Sequence, residues 1–134
     1  MPRLSVLYIR LSLVHLLLAV SLGGLLLANK GILISPAIWA LLPLHIEFAF
    51  VGWMVQLALG MVFWIVPRFS RGAPRGDERW SWLACILLNV GILCVAAQVI
   101  AGGSVLAFPG RLLEMLGLGA FAIGNWRRVK PIGA

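Results

Sequence analysis

Four apolar stretches, each near the length of a membrane-crossing helix, follow one another in this chain with almost no charge inside them. That pattern limits the fold more than any other feature. The run from Leu11 to Ala28 is 18 residues long, and its only ionisable side chain is His15. A run of this length is a candidate spanning helix, because the hydrocarbon core of a bilayer is about 30 Å thick. The second stretch extends from about Ile38 to Val66, the third from about Trp80 to Ala101 and the fourth from about Arg111 to Trp126. Composition agrees: 62% of the 134 residues are hydrophobic and 11% are charged, against about 25% charged in an average soluble domain. So much apolar surface cannot be hidden in a water-soluble enzyme of this size, and it excludes a disordered chain. The expected fold is all-α, a single four-transmembrane-helix bundle over residues 1–134 with no soluble domain appended.

Other features refine this reading. Pro43 fits the start of the second membrane helix proper, with Pro36 to Leu42 as an interfacial lead-in. Gly102 to Gly110 reads as a short uncharged turn, and Arg68 to Arg79 as a polar connector holding six charges. The N-terminal run is long for a signal peptide, and Asn29-Lys30-Gly31 makes a poor cleavage site, so it reads as a retained span.

The net charge of +7 is a topology signal rather than a nucleic-acid footprint. Arg3, Arg10, Arg68, Arg71, Arg75, Arg79, Arg127, Arg128 and Lys130 fall on one side of a four-span chain, and only Lys30 and Arg111 on the other. The positive-inside rule then places both termini and the middle connector in the cytoplasm, in an inner (plasma) membrane crossed several times. The basic side also attracts anionic lipid. Trp39, Trp80, Trp82 and Trp126 lie near the expected interfaces as belt anchors. Cys85 and Cys94 are nine helical residues apart, about 13 Å along the axis, so they are small core residues and not a disulfide.

An ionisable side chain in hydrocarbon is costly and therefore a functional candidate. The set is His15, His45, Glu47 and Glu114, with the uncharged Asn89 and Gln98. From His45 a helical stripe runs through Ala49, Gly52 and Gln56 to Gly60 and Phe63. Small residues at those spacings let a flat macrocycle lie against its own helix, or equally let two helices touch. His15 lies much deeper than His45 from the outer boundary, which disfavours one iron held by both. It reads as a hydrogen-bonded core histidine. Glu47 is either a proton-handling carboxylate or a residue reaching the interface, and Glu114 pairs with Arg111 three residues earlier. A closed zinc site lacks ligands.

The stretch from His45 to Phe69, with Gly52, Gly60 and the aromatic run Phe63-Trp64-Ile-Val-Pro67-Arg68, resembles the second helix of subunit I of the haem-copper oxidases. It covers about 25 of the 134 residues. It is similar also to short four-helix proteins related to that subunit. The resemblance implies that His45 is an axial ligand of a low-spin haem. It also implies that one four-helix chain supplies one of the pseudo-repeats from which subunit I is built, with the second histidine coming from another repeat. The further histidines and the copper site that oxygen reduction requires have no counterpart here.

The expectation is therefore a membrane cytochrome b for electron transfer, a homodimer or higher homo-oligomer sharing haem b between two copies of His45, with a separate redox partner. Ala49, Gly52 and Gln56 would line the ring, Trp53 and Phe48 would pack nearby, and Arg111 and Lys30 would meet the propionates. The alternatives are a haem-free assembly subunit whose glycine stripe packs on a larger partner, and a five-coordinate haem that senses or handles nitric oxide or oxygen.

Overall fold

The computed structural model describes residues 1–66, 77–103 and 105–129. Every regular element among them is helical. We label them α1 (Arg3–Gly31), α2 (Pro36–Ile65), α3 (Arg79–Ala101) and α4 (Ala107–Asn125), the last followed by a single 3-10 turn, Trp126–Arg128. The first three are long and apolar enough to cross a membrane. The fourth has 19 residues and carries Arg111 and Glu114 within its first turns.

Local chemistry explains where each helix starts and stops. Ser35 accepts the Ala37 amide at 3.3 Å and opens α2 with a 3-10 turn over Pro36–Leu41. The α-helical winding begins at Leu42, with Pro43 in the first turn, where its missing N–H costs nothing. From Phe48 to Val55 the helix widens into π winding, and from Gln56 it returns to α. Gly102, at φ +68°, ends α3 in the left-handed conformation that glycine adopts freely. The Gln98 side chain then reaches forward. Its Oε1 accepts the amides of Leu106 and Ala107, at 2.8 and 3.2 Å, and so caps α4. This places the start of α4 at Ala107, four residues before the expected position. Pro109 falls inside the first turn, which tolerates it. At the other end of the chain α1 begins at Arg3 instead of Leu11, because Leu4, Ser5 and Tyr8 are buried by the rest of the bundle. Pro67 and Arg68 through Gly76 lie outside the described residues.

The helices form two hairpins, α1 with α2 and α3 with α4, packed through two apolar clusters. Leu4, Tyr8, Phe63, Ala84, Cys85, Ala120 and Phe121 fill one end, and Ala19, Leu44, Phe48, Leu88, Ile92 and Ala96 the other. Close approach of α3 and α4 depends on glycine. A Cβ on Gly91 would lie 2.8 Å from the Gly110 carbonyl oxygen, and one on Gly110 would lie 3.1 Å from that of Gly91. Such small-residue contacts are how helices associate in lipid, where apolar burial gives no driving force. The sidedness of the molecule suits the same solvent. Leu17, Leu27, Leu93, Ile100 and Met115 are exposed, whereas Ser5, Ser12, Glu47 and Gln56 are buried. Cys85 and Cys94 are free thiols.

At the end that carries Arg3 and Arg10, side chains tie the two hairpins together. Tyr8 donates to the Ser81 carbonyl at 3.0 Å, and Asn125 Nδ2 donates to Ser81 Oγ at 3.0 Å. Arg128 is 2% exposed. It donates to Asn125 Oδ1 and to the carbonyls of Phe63 and Val66, and its guanidinium lies 4.9 Å from the centre of the Phe63 ring. A cation on the last carbonyls of α2 also complements the helix dipole. Arg128, which the sequence places on the basic side, is a buried clasp there.

Candidate functional site

His45 sits on the last turn of α2 before the π stretch, facing α1. Its Nδ1 is 2.8 Å from the Ala19 carbonyl oxygen. A carbonyl can only accept, so Nδ1 carries a proton, and in the neutral tautomer this fixes, the lone pair is on Nε2. Among the described residues, Nε2 has no hydrogen-bond partner. The ring rests on Gly23, where a Cβ would fall 2.8 Å from His45 Cε1. Beside it opens a groove of about 230 Å³ lined by Gly23, Leu26, Leu27, Lys30, Trp39, Leu42 and His45. Its walls are apolar apart from Lys30 and the imidazole.

The stripe expected to share a face with His45 does so, but that face is packed against α1. Gly52 is covered by His15 of α1, whose Cγ lies 2.6 Å from where a Cβ on Gly52 would be. Gly60 is covered in the same way by Tyr8, at 2.7 Å. Gln56 is 0% exposed between them. Gly52, Gln56 and Gly60 point toward α1 as His45 does, and α1 leaves none of them open to a macrocycle. Phe48 is buried against the His15 ring, with centroids 5.5 Å apart, and Ala49 packs on the apolar cluster of Ala19, Leu44 and Leu88. Trp53 is half-buried. Of the residues expected around a macrocycle, the groove brings together His45 and Lys30, adding Gly23, Leu26, Leu27, Trp39 and Leu42.

Arg111 is engaged away from the groove. Its Nη1 pairs with Glu47 Oε2 at 2.6 Å and Glu114 Oε2 at 2.9 Å. The pair with Glu114 has the expected i,i+3 spacing, and Glu47 joins it from α2. Glu47 is 1% exposed, so it is a buried member of an ion triad, not a residue reaching the interface. Gly91 leaves the space that Glu114 Cγ occupies.

His15 is level with Gly52, and His45 with Ala19 and Gly23. The two rings are thus staggered along the axis by roughly six residues, or about 9 Å. One metal ion cannot bridge that distance. No cluster of three or more His, Cys, Asp or Glu side chains suited to a metal ion occurs among the described residues. A larger groove of about 550 Å³ on α4, lined by Gly119, Ala122, Ile123, Trp126 and Arg127, offers no metal-ligating side chain.

Sequence reasoning missed Gly23 and Ala19, which hold His45, because nothing in α1 alone marks the register at which α2 meets it. It missed Ser5, Tyr8 and Ser12 for a different reason. Their spacing with His15 (i, i+3, i+7, i+10) is a helical stripe, and it was legible. No known protein family, curated protein or solved structure matches the chain.

Proposed function

We propose that the chain is a membrane haem b protein in which His45 supplies an axial imidazole, with a second copy of the chain supplying the other. The observation that carries this reading is the Nδ1–H of His45 held on the Ala19 carbonyl beside an apolar groove. Imidazoles that ligate metals are commonly fixed this way: the protonated nitrogen donates to a backbone oxygen, which sets the tautomer and the ring plane and leaves Nε2 as the ligand. The groove fits the edge of a macrocycle in kind, with Leu26, Leu27, Trp39 and Leu42 as apolar walls. Its volume is below the roughly 300 Å³ at which pockets enclosing a whole small ligand begin. One chain therefore covers only part of such a group, which favours a site completed by a second copy. The likeness of the His45–Phe69 stretch to the oxidase helix points the same way.

In this reading Gly23 permits the approach, Ala19 orients the imidazole, the apolar walls keep water from the iron, and Lys30 offers a cation for a propionate. Arg111, committed to Glu47 and Glu114, drops out of that role. Bound with two imidazoles, haem supplies one-electron transfer. The topology that accompanies it has four spans with both termini and the basic end in the cytoplasm of a plasma membrane.

The test is a reduced-minus-oxidised spectrum of protein purified from haem-replete cells, with pyridine haemochrome and protein quantitation. The expected result is a low-spin b-type spectrum, near half a haem per chain, lost in His45→Ala. One haem per chain with a large shift under carbon monoxide would replace it with the five-coordinate gas-binding reading. Colourless protein would leave the haem-free assembly subunit. That subunit could not use Gly52 and Gly60 as its contact stripe, since His15 and Tyr8 already cover them.

A further inference from the structure

The face that α1 turns inward carries Ser5, Tyr8, Ser12 and His15, and α2 meets them with Gly60, Gln56 and Gly52. In a helix whose lipid-facing surface is leucine, isoleucine and valine, this is a polar seam about 15 Å long between two apolar exteriors. Tyr8 and Ser12 are satisfied by the carbonyls of Ser81 and Ile9. Gln56 and Ser5 are not. Gln56 is fully buried and neither its Oε1 nor its Nε2 meets a protein partner, and Ser5 Oγ is also buried without one. An amide with both ends unpaired in hydrocarbon costs several kcal/mol, so such groups are normally paired, and internal water is the usual partner when protein supplies none.

We propose that the α1–α2 seam binds internal water centred on Gln56, and that this water gives protons a hydrogen-bonded route from the Ser5 end of the bundle to His15. The geometry suits it. Gln56 offers two donors and an acceptor at the turn between Gly52 and Gly60, facing the Ser12 level of α1. Ser12 Oγ, which donates to Ile9, keeps lone pairs free to accept from a water. Ser5 continues the line toward the end that carries Arg3 and Arg10. The ligand is water alone, so the site does not depend on the haem reading.

The test uses the full-length protein in lipid bilayers, with or without haem. Water-edited solid-state NMR should show magnetisation passing from water to the Gln56 side-chain amide in the wild type. The ring N–H of His15 should exchange in D2O far faster than the amides of the buried Leu88 and Ile92. Gln56→Leu keeps the volume and removes the polar atoms, and it should abolish the water transfer at this level and slow His15 exchange by about tenfold or more. Ser5→Ala, the milder variant, should slow it in the same direction. No water transfer to Gln56 in the wild type would overturn the proposal. So would His15 exchange that is as slow as the core, or that is indifferent to both substitutions.

Discussion

The imidazole of His15 lies directly over Gly52, and the imidazole of His45 lies directly over Gly23, so each of the first two helices buries one histidine against a glycine of the other. The two contacts set the register of the α1–α2 hairpin. Their roles nonetheless differ: the first ring is enclosed in the seam, while the second stands half-buried at the groove.

A side chain at position 52 has no room. Gly52→Ala would place a Cβ 2.6 Å from His15 Cγ, and overpacking of this kind costs about 1–3 kcal/mol. Adding His15→Ala should recover most of the loss. The check is a double-mutant cycle on unfolding in detergent, where the two substitutions should be strongly non-additive.

At position 23 the same logic reaches the proposed ligand. Gly23→Ala pushes on His45 Cε1 and should lift the ring from the Ala19 carbonyl, whereas Gly24 faces open space. Haem retained through purification should fall in Gly23→Ala and stay at the wild-type level in Gly24→Ala. Equal retention in both would remove Gly23 from the site.

Removing Arg111 strands two carboxyls. Arg111→Ala leaves Glu47 and Glu114 buried without their shared cation, which should destabilise the protein by about 3 kcal/mol, nearer the low end for a buried pair because Arg111 is half-exposed. Adding Glu47→Gln and Glu114→Gln to that variant should restore much of the stability. Thermal unfolding of the single and triple variants checks this.

Arg128 should behave as a core residue despite its charge. Arg128→Gln removes donors from the carbonyls of Phe63 and Val66 and from Asn125, and should cost about 2–4 kcal/mol. Arg127→Gln, at an exposed position, should cost less than about 0.5 kcal/mol. Similar losses in the two variants would contradict the clasp.

What the amino-acid order determined by itself is the membrane solvent, the helical class and the approximate place of each helix. A continuous apolar run satisfies its own backbone in hydrocarbon as a helix, whereas the other spanning form, a closed barrel, needs strands of alternating polarity. The Arg111–Glu114 pair was equally legible, because i,i+3 neighbours meet within one helix. Tertiary structure alone decided which groups meet across helices. The stripe of His45, Gly52, Gln56 and Gly60 was legible as one face of α2, but that α1 covers this face was decided only by packing. The partners of His45, Glu47 and Arg128 lie 26, 64 and up to 65 positions away along the chain. Such contacts depend on the axial offset of packed helices, which glycines and aromatic rings fix only once the helices are side by side.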